Sequence, residues 1–268
     1  MKKLDMATLV GLVLAFGSIL FGNFLEGGHL SSITQPTAAL IVFGGTLGAV
    51  FVSFPMADMK AAARALGQLF GSKPDRTQAL IDEIVRYAQL ARQEGVLALE
   101  GVAAEVENPF FKKGLTMIAD GIDSKTVEDT LQLALAELEE RGEVPAKVFE
   151  SGGGYAPTVG IIGAVLGLIH VMSNLSDIAK VGEGIAVAFV ATIYGVGAAN
   201  LVFLPAANKI KLKHRQEMIL HEVMMYGVIA IQRGQNKQTI IELLSVFVHG
   251  HGAAHKGAKT EQPLKVAA

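Results

Sequence analysis

Two uncharged stretches decide the fold of this chain: residues 155–168 read YAPTVGIIGAVLGL, and residues 188–205 read AFVATIYGVGAANLVFLP. They lie within two longer apolar runs, 152–173 and 184–208, which are joined by a short polar loop. A helix needs about 20 apolar residues to cross the hydrocarbon core of a bilayer. Both runs are long enough, so the sequence predicts a pair of membrane-spanning helices here.

Small residues recur at helical spacing in the first of these runs. Gly163 and Gly167 lie one turn apart, and so do Gly160 and Ala164. This spacing lets the backbones of two helices approach closely in lipid. The glycines alone therefore indicate close packing between membrane helices and do not require an ion path.

Other residues of the same pair favour an ion path. Pro157 and Ala164 are seven residues apart and share a helix face. A proline in a membrane helix frees a backbone carbonyl that another group must satisfy. Thr192 offers a hydroxyl in an otherwise apolar region. Facing helices with these residues are suited to lining a narrow wet path.

The composition excludes several classes of function. Hydrophobic residues make up 51% of the chain and are bunched into long uncharged runs, which favours a membrane protein over a large soluble core. Cysteine is absent, which excludes a disulfide framework, a thiolate metal site and a cysteine nucleophile. The net charge of −2 gives no basic field for nucleic acid. Since the sequence contains no P-loop, nucleophile elbow or metal cluster, we expect neither enzymatic activity nor a cofactor.

The whole chain is predicted to be an all-α membrane protein with four transmembrane helices. Two further apolar runs, 6–25 and 34–55, supply the first two spans, and a charged helical domain is inserted between spans two and three. The predicted organisation is spans one and two at 1–57, a cytoplasmic helical domain at 58–150, spans three and four at 151–208, C-terminal cytoplasmic helices at 209–248 and a disordered tail at 249–268.

Local patterns refine this organisation. Apolar residues at three- and four-residue spacing over 82–91 and 126–138 predict amphipathic helices. Gly95 is predicted to end one helix and Asp123-Ser124 to begin another. The Gly44-Gly45-Thr46 segment in the second span indicates close helix contact in preference to ion binding.

The basic residues predict the orientation in the membrane. Of the 23 lysines and arginines, 22 lie in residues 1–3, in the inserted domain or after Pro205, and only Lys180 lies in a loop on the other side. Cytoplasmic loops carry the excess of basic residues. Both termini and the inserted domain are therefore predicted to be cytoplasmic.

The four spans contain no Asp, Glu, Lys or Arg, and His170 is their one ionisable side chain besides tyrosine. Proton conduction at this depth usually needs a carboxylate or histidine relay. His170 lies about 220° around the helix from Pro157, so a packing or interfacial role is favoured for it. If this chain helps to conduct protons, a partner subunit must supply the titrating acid. For His249, His251 and His255, a solvated tail is favoured over metal binding.

These motifs together resemble the MotA/PomA family, the A subunit of the bacterial flagellar stator. The resemblance extends from Leu4 to about Val248 and includes the order of elements: two spans, a cytoplasmic insert, two spans and a cytoplasmic tail. The segments that carry it are Gly44-Gly45-Thr46, 92–100, 156–168 and 189–205.

The resemblance implies a function and partners. The chain would form a pentamer around a dimer of a MotB-like B subunit in the bacterial inner membrane. The single membrane helix of that subunit would carry the proton-accepting aspartate, and its outer domain would grip peptidoglycan. Pro157 and Pro205 match the functional prolines of the family, and Thr192 matches its channel threonine. Arg92 and Glu100 match charged residues that engage the rotor protein FliG.

The resemblance also bears on the transported ion. Sodium-type relatives carry threonines at the positions of Ala164 and Ala191. Sodium needs oxygen ligands to replace its water, and a methyl group supplies none. The expected ion is therefore H⁺ rather than Na⁺.

Three other interpretations stay open at this point. One is an ExbB/TolQ-like energy-coupling subunit, although such relatives have three spans. Another is a sodium-type stator, and the third is a passive scaffold or small transporter subunit without ion flux. A neighbouring reading frame with one apolar helix, an aspartate near its start and a periplasmic domain would favour the stator.

Overall fold

The computed structural model describes residues 3–72, 74 and 76–253, and these residues are almost entirely helical. The predicted all-α fold is confirmed. The helices are α1 (Met6–Leu25), α2 (Pro36–Ala39), α3 (Gly45–Ser53), α4 (Met56–Gln68), α5 (Thr77–Glu94), α6 (Leu99–Glu105), α7 (Pro109–Ala119), α8 (Ser124–Ser173), α9 (Ile178–Gly197), α10 (Leu204–Gln232) and α11 (Lys237–Ala253). Two short strands, β1 (Lys3–Leu4) and β2 (Gly71–Ser72), pair antiparallel.

Two wider, π-helical turns join neighbouring helices without a break. The turn Leu40–Gly44 joins α2 to α3, and we call the resulting helix, residues 36–53, the second-span helix. The turn Ala198–Phe203 joins α9 to α10. Turns of this kind occur mostly as single interruptions of α-helices and often lie at functional sites.

Four of the described helices are long and apolar enough to cross a membrane, as predicted. They are α1, the stretch Leu30–Ser53 that includes the second-span helix, the apolar half of α8, and α9 with its continuation. α8 has 50 residues and is therefore about 75 Å long. The predicted boundary between residues 150 and 151 lies inside α8, where the composition changes but the backbone does not. Likewise, the helix continues beyond Pro205, near which the fourth span was predicted to end.

The chain forms two compact units. The first consists of Met1–Lys73 with Arg141–His214 and contains the spans. Its apolar contacts include a small cluster in which the second-span helix buries Ala38 and Val42 against Val190 and Ala191 of α9.

The second unit consists of Pro74–Glu140 with Arg215–Ala268. Its described helices share one hydrophobic core, so the segment after residue 214 folds together with the inserted domain. The glycines of this core allow close packing, since a Cβ on Gly114 would lie 2.8 Å from a methyl of Val228. Fully buried members of the core include Phe111, Ile81, Ile84, Leu99, Leu115, Ile118, Leu131, Val223, Ile240 and Leu244.

The local predictions for the second unit are confirmed. α5 and α8 contain the two amphipathic stretches. Asp123 caps α8 by accepting hydrogen bonds from the N–H groups of Lys125 and Thr126, both at 3.1 Å. Gly95 ends α5 with φ of 89°, a conformation that favours glycine. α11 extends past Val248 to Ala253, and the rest of the predicted tail, including His255, lies outside the described residues.

Candidate functional site

The third and fourth spans pack through small residues that cannot carry a larger side chain. A Cβ on Gly160 would lie 2.9 Å from the carbonyl oxygen of Ala191, and one on Gly195 would lie 2.5 Å from that of Ala156. Likewise, a Cβ on Gly167 would lie 2.7 Å from the carbonyl oxygen of Gly184. The glycine spacing therefore has a packing cause, as the sequence indicated.

The second-span helix covers one side of this pair. A Cβ on Gly45 would lie 2.8 Å from Cγ1 of Val159, which confirms the close contact predicted for the Gly44-Gly45-Thr46 segment. Ala191 is fully buried, and its methyl faces Gly163 at the junction of the three helices. The structure therefore places Ala191 inside the protomer.

The opposite side of the α8–α9 pair is open. At about 100° per residue, Pro157 and Ala164 lie on the edge of α8 that faces away from Val159, and both are half-buried. Thr192 lies on the corresponding edge of α9, opposite Val190, and is exposed. Its hydroxyl donates to the carbonyl of Ala188 at 3.1 Å. The structure thus brings Pro157, Ala164 and Thr192 to one side.

Pro205 is the second residue after the π-helical turn Ala198–Phe203 and is exposed. Proline has no N–H to donate to the carbonyl four residues earlier, here Leu201, and its ring crowds that carbonyl. The wider turn gives this backbone room. A Cβ on Gly153 would lie 2.7 Å from Cδ2 of Leu204, so the segments that precede Pro157 and Pro205 are neighbours. Each of the two prolines removes one helical hydrogen bond in the same region.

The two predicted rotor-contacting residues lie on the surface of the second unit. Arg92 is in the last turn of α5 and Glu100 is in the first turn of α6, and both are exposed. Between them Leu97 is 68% exposed, whereas Leu99 is fully buried and anchors the segment. The segment 92–100 therefore presents opposite charges on either side of an exposed leucine, which suits contact with another protein.

Comparison with known proteins identifies the family. Residues 9–95 match the motility protein A N-terminal family model, and residues 102–223 match that of the MotA/TolQ/ExbB proton channel family. The chain is 35% identical over 268 residues to motility protein A of Bacillus subtilis (strain 168), a match that covers 97% of this chain and 99% of the relative. The chain belongs to the MotA/TolQ/ExbB proton channel family.

Within the family, the similarity is to motility proteins. Chemotaxis protein PomA of Vibrio alginolyticus is 36% identical over 246 residues, which cover 92% of this chain and 96% of the relative. The flagellar MotAB stator complex from Bacillus subtilis contains a chain with a TM-score of 0.84 and 36% identity, and the match covers 95% of this chain and all of that one. This agreement confirms the resemblance and the four-span fold, and it places the protein in a membrane. The family comprises channel subunits and not enzymes.

Tyr194, which was not identified from the sequence, connects α9 to the second-span helix and to the residues just before it. The hydroxyl of Tyr194 donates to the carbonyl of Ile33 at 2.7 Å and accepts from the N–H of Gln35 at 3.2 Å. Its ring also stacks on Phe43 at 5.7 Å. A tyrosine within an apolar span was the available signal, because a phenol in lipid needs a hydrogen-bond partner.

Two further polar groups in the first unit lie away from the open side. His170 lines a cavity of about 250 Å³ between the second-span helix, α8 and α9, together with Glu183 and Thr37. His170 thus lies on the side of α8 that faces the second-span helix, away from Pro157 and Ala164. The hydroxyl of Thr46 is buried and has no hydrogen-bond partner among the described residues.

Proposed function

We propose that the chain is the A subunit of a flagellar stator, which forms a proton channel with a MotB-like partner and converts ion flow into torque on the rotor. The observation that carries this proposal is the near-complete structural match to a chain of a flagellar MotAB stator complex. The open side of the α8–α9 pair supports it, because Pro157, Ala164 and Thr192 all lie there.

The partner supplies the acid in this proposal. Neither of the apolar runs that form spans three and four contains Asp, Glu, Lys or Arg. A charged group at lipid depth is costly and is kept where function requires it. The titrating aspartate therefore belongs to the membrane helix of the B subunit, whose outer domain holds peptidoglycan. Five A chains surround two such helices with their open sides inward.

The mechanism follows from this arrangement. Protonation of the partner's aspartate removes a charge from the low-dielectric contact with the open side and changes how its helix packs there. The π-helical turn Ala198–Phe203 and Pro205 form the part of the fourth span where the helix can bend. Repeated proton transfers then step the ring of A chains around the anchored B dimer.

The segment 92–100 transmits the movement to the rotor. Arg92 and Glu100 pair with charges of FliG, and Leu97 adds apolar contact between them. The A subunit lies in the bacterial inner membrane with both termini and the charged domain in the cytoplasm, in keeping with the distribution of lysine and arginine.

The transported ion is the proton. Ala164 lies at the edge of the open side and supplies no oxygen ligand, and Ala191 is buried against Gly163. The hydroxyl of Thr192 is then the main side-chain oxygen on this side. One oxygen ligand cannot replace the several water molecules that surround a sodium ion. Swimming speed measured against external sodium at fixed pH tests the ion, and a strict sodium requirement would show a sodium-type stator.

Complementation of a motile host that lacks its stator genes tests the whole proposal. The chain and its B partner should restore swimming together. Pro157→Ala and Pro205→Ala should abolish most of the torque while the protein level in the membrane stays normal. Pro145→Ala, which removes another proline of α8, is the control and should swim. Normal motility of the Pro157→Ala and Pro205→Ala variants would overturn the proposed path.

A further inference from the structure

The side chain of Lys213 closes the end of α4. Its Nζ donates to the carbonyls of Gln68, Leu69 and Gly71 at 2.6, 2.7 and 2.6 Å. The last carbonyls of a helix have no partner within the helix, and a cation there also interacts favourably with the helix dipole. An ammonium has three donors, enough for all three of these carbonyls. Lys213 on α10 therefore caps a different helix.

The start of the chain joins the same place. β1 pairs with β2 so that Leu4 lies opposite Gly71, and the N–H of Asp5 donates to the carbonyl of Phe70 at 2.9 Å. The carboxylate of Asp5 caps α1 and forms an ion pair with Lys209 of α10. The hydrogen bond from Lys209 lowers the pKa of Asp5, so the pair is fully charged at neutral pH.

Apolar packing supports these polar contacts. Leu69 is buried with Ala146 of α8 and with Ala206 and Ile210 of α10. The first turns of α10 thus contact the end of α4 through side chains as well as through Lys213. Directly before them in the chain lies the π-helical turn Ala198–Phe203, where the regular hydrogen bonding of the fourth span is interrupted.

We propose that Lys213 is a positioning residue for torque generation. It holds a clasp, defined here as residues 4–5 and 68–71 with Lys209 and Lys213, that fixes the first turns of α10 to α4 and to the start of α1. Because the clasp stays closed, the bending that ion flow causes is confined to the turn Ala198–Phe203. This inference rests on the proposed stator function.

The lysines after Pro205 differ in what they contact. By sequence, the run of basic residues serves the orientation of the membrane helices. In the structure Lys211 forms an exposed ion pair with Glu150 at 2.5 Å, whereas Lys213 reaches the backbone of α4. Lys211 therefore provides a control on the same helix.

The first experiment compares Lys213→Met with Lys211→Met in the full chain together with its B partner. Lys213→Met should lose most of its torque in motility assays but keep proton flux in vesicles at equal protein level, because ions still pass while bending spreads into α10. Lys213→Arg should recover part of the torque, since a guanidinium also donates to carbonyls. Lys211→Met should keep both. Equal loss of flux and torque in Lys213→Met would show a merely structural lysine and overturn the proposal.

The second experiment locks the clasp. Leu4→Cys with Gly71→Cys places two thiols on paired strand positions, whose Cα atoms are about 4.5–5.5 Å apart, within the range of a disulfide. The natural chain has no cysteine, so the cross-link is unambiguous. Oxidation should leave the torque unchanged. Torque that falls on oxidation and returns on reduction would show that the clasp opens during work, and would overturn the inference.

Failure of the clasp and failure of the function give different results. If the natural chain drives no torque with any B partner, the proposed stator function is wrong, and so is the role of the clasp in torque. If the natural chain drives torque and Lys213→Met matches it, only the clasp is wrong.

Discussion

At the scale of single residues, glycines determine how closely the third and fourth spans approach. Gly195 and Gly160 allow two backbones into contact because a methyl on either would overlap a carbonyl of the other helix. Their neighbour Gly197 has open space around it. Gly195 is thus required for close packing and Gly197 is not, although the two glycines have similar neighbours in the sequence.

Gly195→Ala is therefore expected to destabilise the first unit by about 1–3 kcal/mol, the usual cost of overpacking a tight contact. Gly197→Ala should be neutral or slightly stabilising, because alanine is the better helix former. Thermal unfolding of the two purified variants in detergent measures this difference. Equal stability of the variants would contradict the packing described for α8 and α9.

Glu222 carries a prediction about pH. Burial raises its pKa, nearby Glu139 raises it further and Arg215 opposes the shift. A carboxyl whose pKa is raised in the folded state is held more favourably when it is protonated. The free energy of unfolding therefore falls as the pH rises from the unfolded pKa through the folded one.

Glu222→Gln should raise the thermal stability at pH 8 and have little effect near the ordinary glutamate pKa, about 4.3. The expected gain is below about 1 kcal/mol because the side chain is partly exposed. Glu128→Gln, which removes an ion pair with Arg233 at 3.1 Å, is the control and should not stabilise. A Glu222→Gln variant that is less stable at pH 8 would contradict the direction of the pKa shift.

The sequence predicted part of the candidate site and could not predict the rest. Spacing placed Pro157 and Ala164 on one face, and the structure agrees. Ala191 and Thr192 are adjacent in sequence, yet one faces the protomer interior and the other the open side. Which direction each takes depends on where the second-span helix packs, and no local pattern contains that information.

At the scale of helices and strands, uninterrupted helices cross the predicted segment boundaries. α8 continues through the change from charged to apolar sequence, and the fourth span continues through Pro205 by means of a wider turn. A proline is usually taken to end a helix. Here the wider turn Ala198–Phe203 accommodates the proline within a continuous helix, and apolar spacing in the sequence does not predict such a turn.

Asp5 links two elements, and its lowered pKa sets the pH range in which it acts. A carboxylate with a depressed pKa in the folded state contributes stability above its unfolded value, near 3.9, and loses that contribution as the pH falls through the folded value. The contact with Lys209 should therefore be complete at neutral pH.

Asp5→Asn should lower the stability of the detergent-solubilised protein at pH 7 by at most about 1 kcal/mol, because the ion pair with Lys209 is lost while asparagine still caps the helix. The difference from the natural chain should shrink below about pH 4, because Asp5 of the unfolded chain then binds a proton while the lowered pKa keeps the folded carboxylate charged. Unfolding curves at pH 3.5 and pH 7 test this. A difference that is equal at both pH values would show that the charge of Asp5 is not involved.

At the scale of the whole molecule, the protein divides its work between two compact units. One contains four spans that pack closely through glycine, alanine and valine, and the other is a helical unit with charged residues on its surface. The apolar periodicity predicted both kinds of helix. It could not show that residues 215–253 complete the core of the inserted domain, because that contact joins segments far apart in the sequence.

In the proposed function, such a molecule provides the uncharged lining of a channel, and another chain supplies the proton-accepting group. Proton flux into lipid vesicles tests this claim most directly, with the purified chain alone, with its B partner, and with a partner whose membrane aspartate is changed to asparagine. We predict a current with the natural partner and none in the other two cases. A robust proton current through the chain alone would contradict the account.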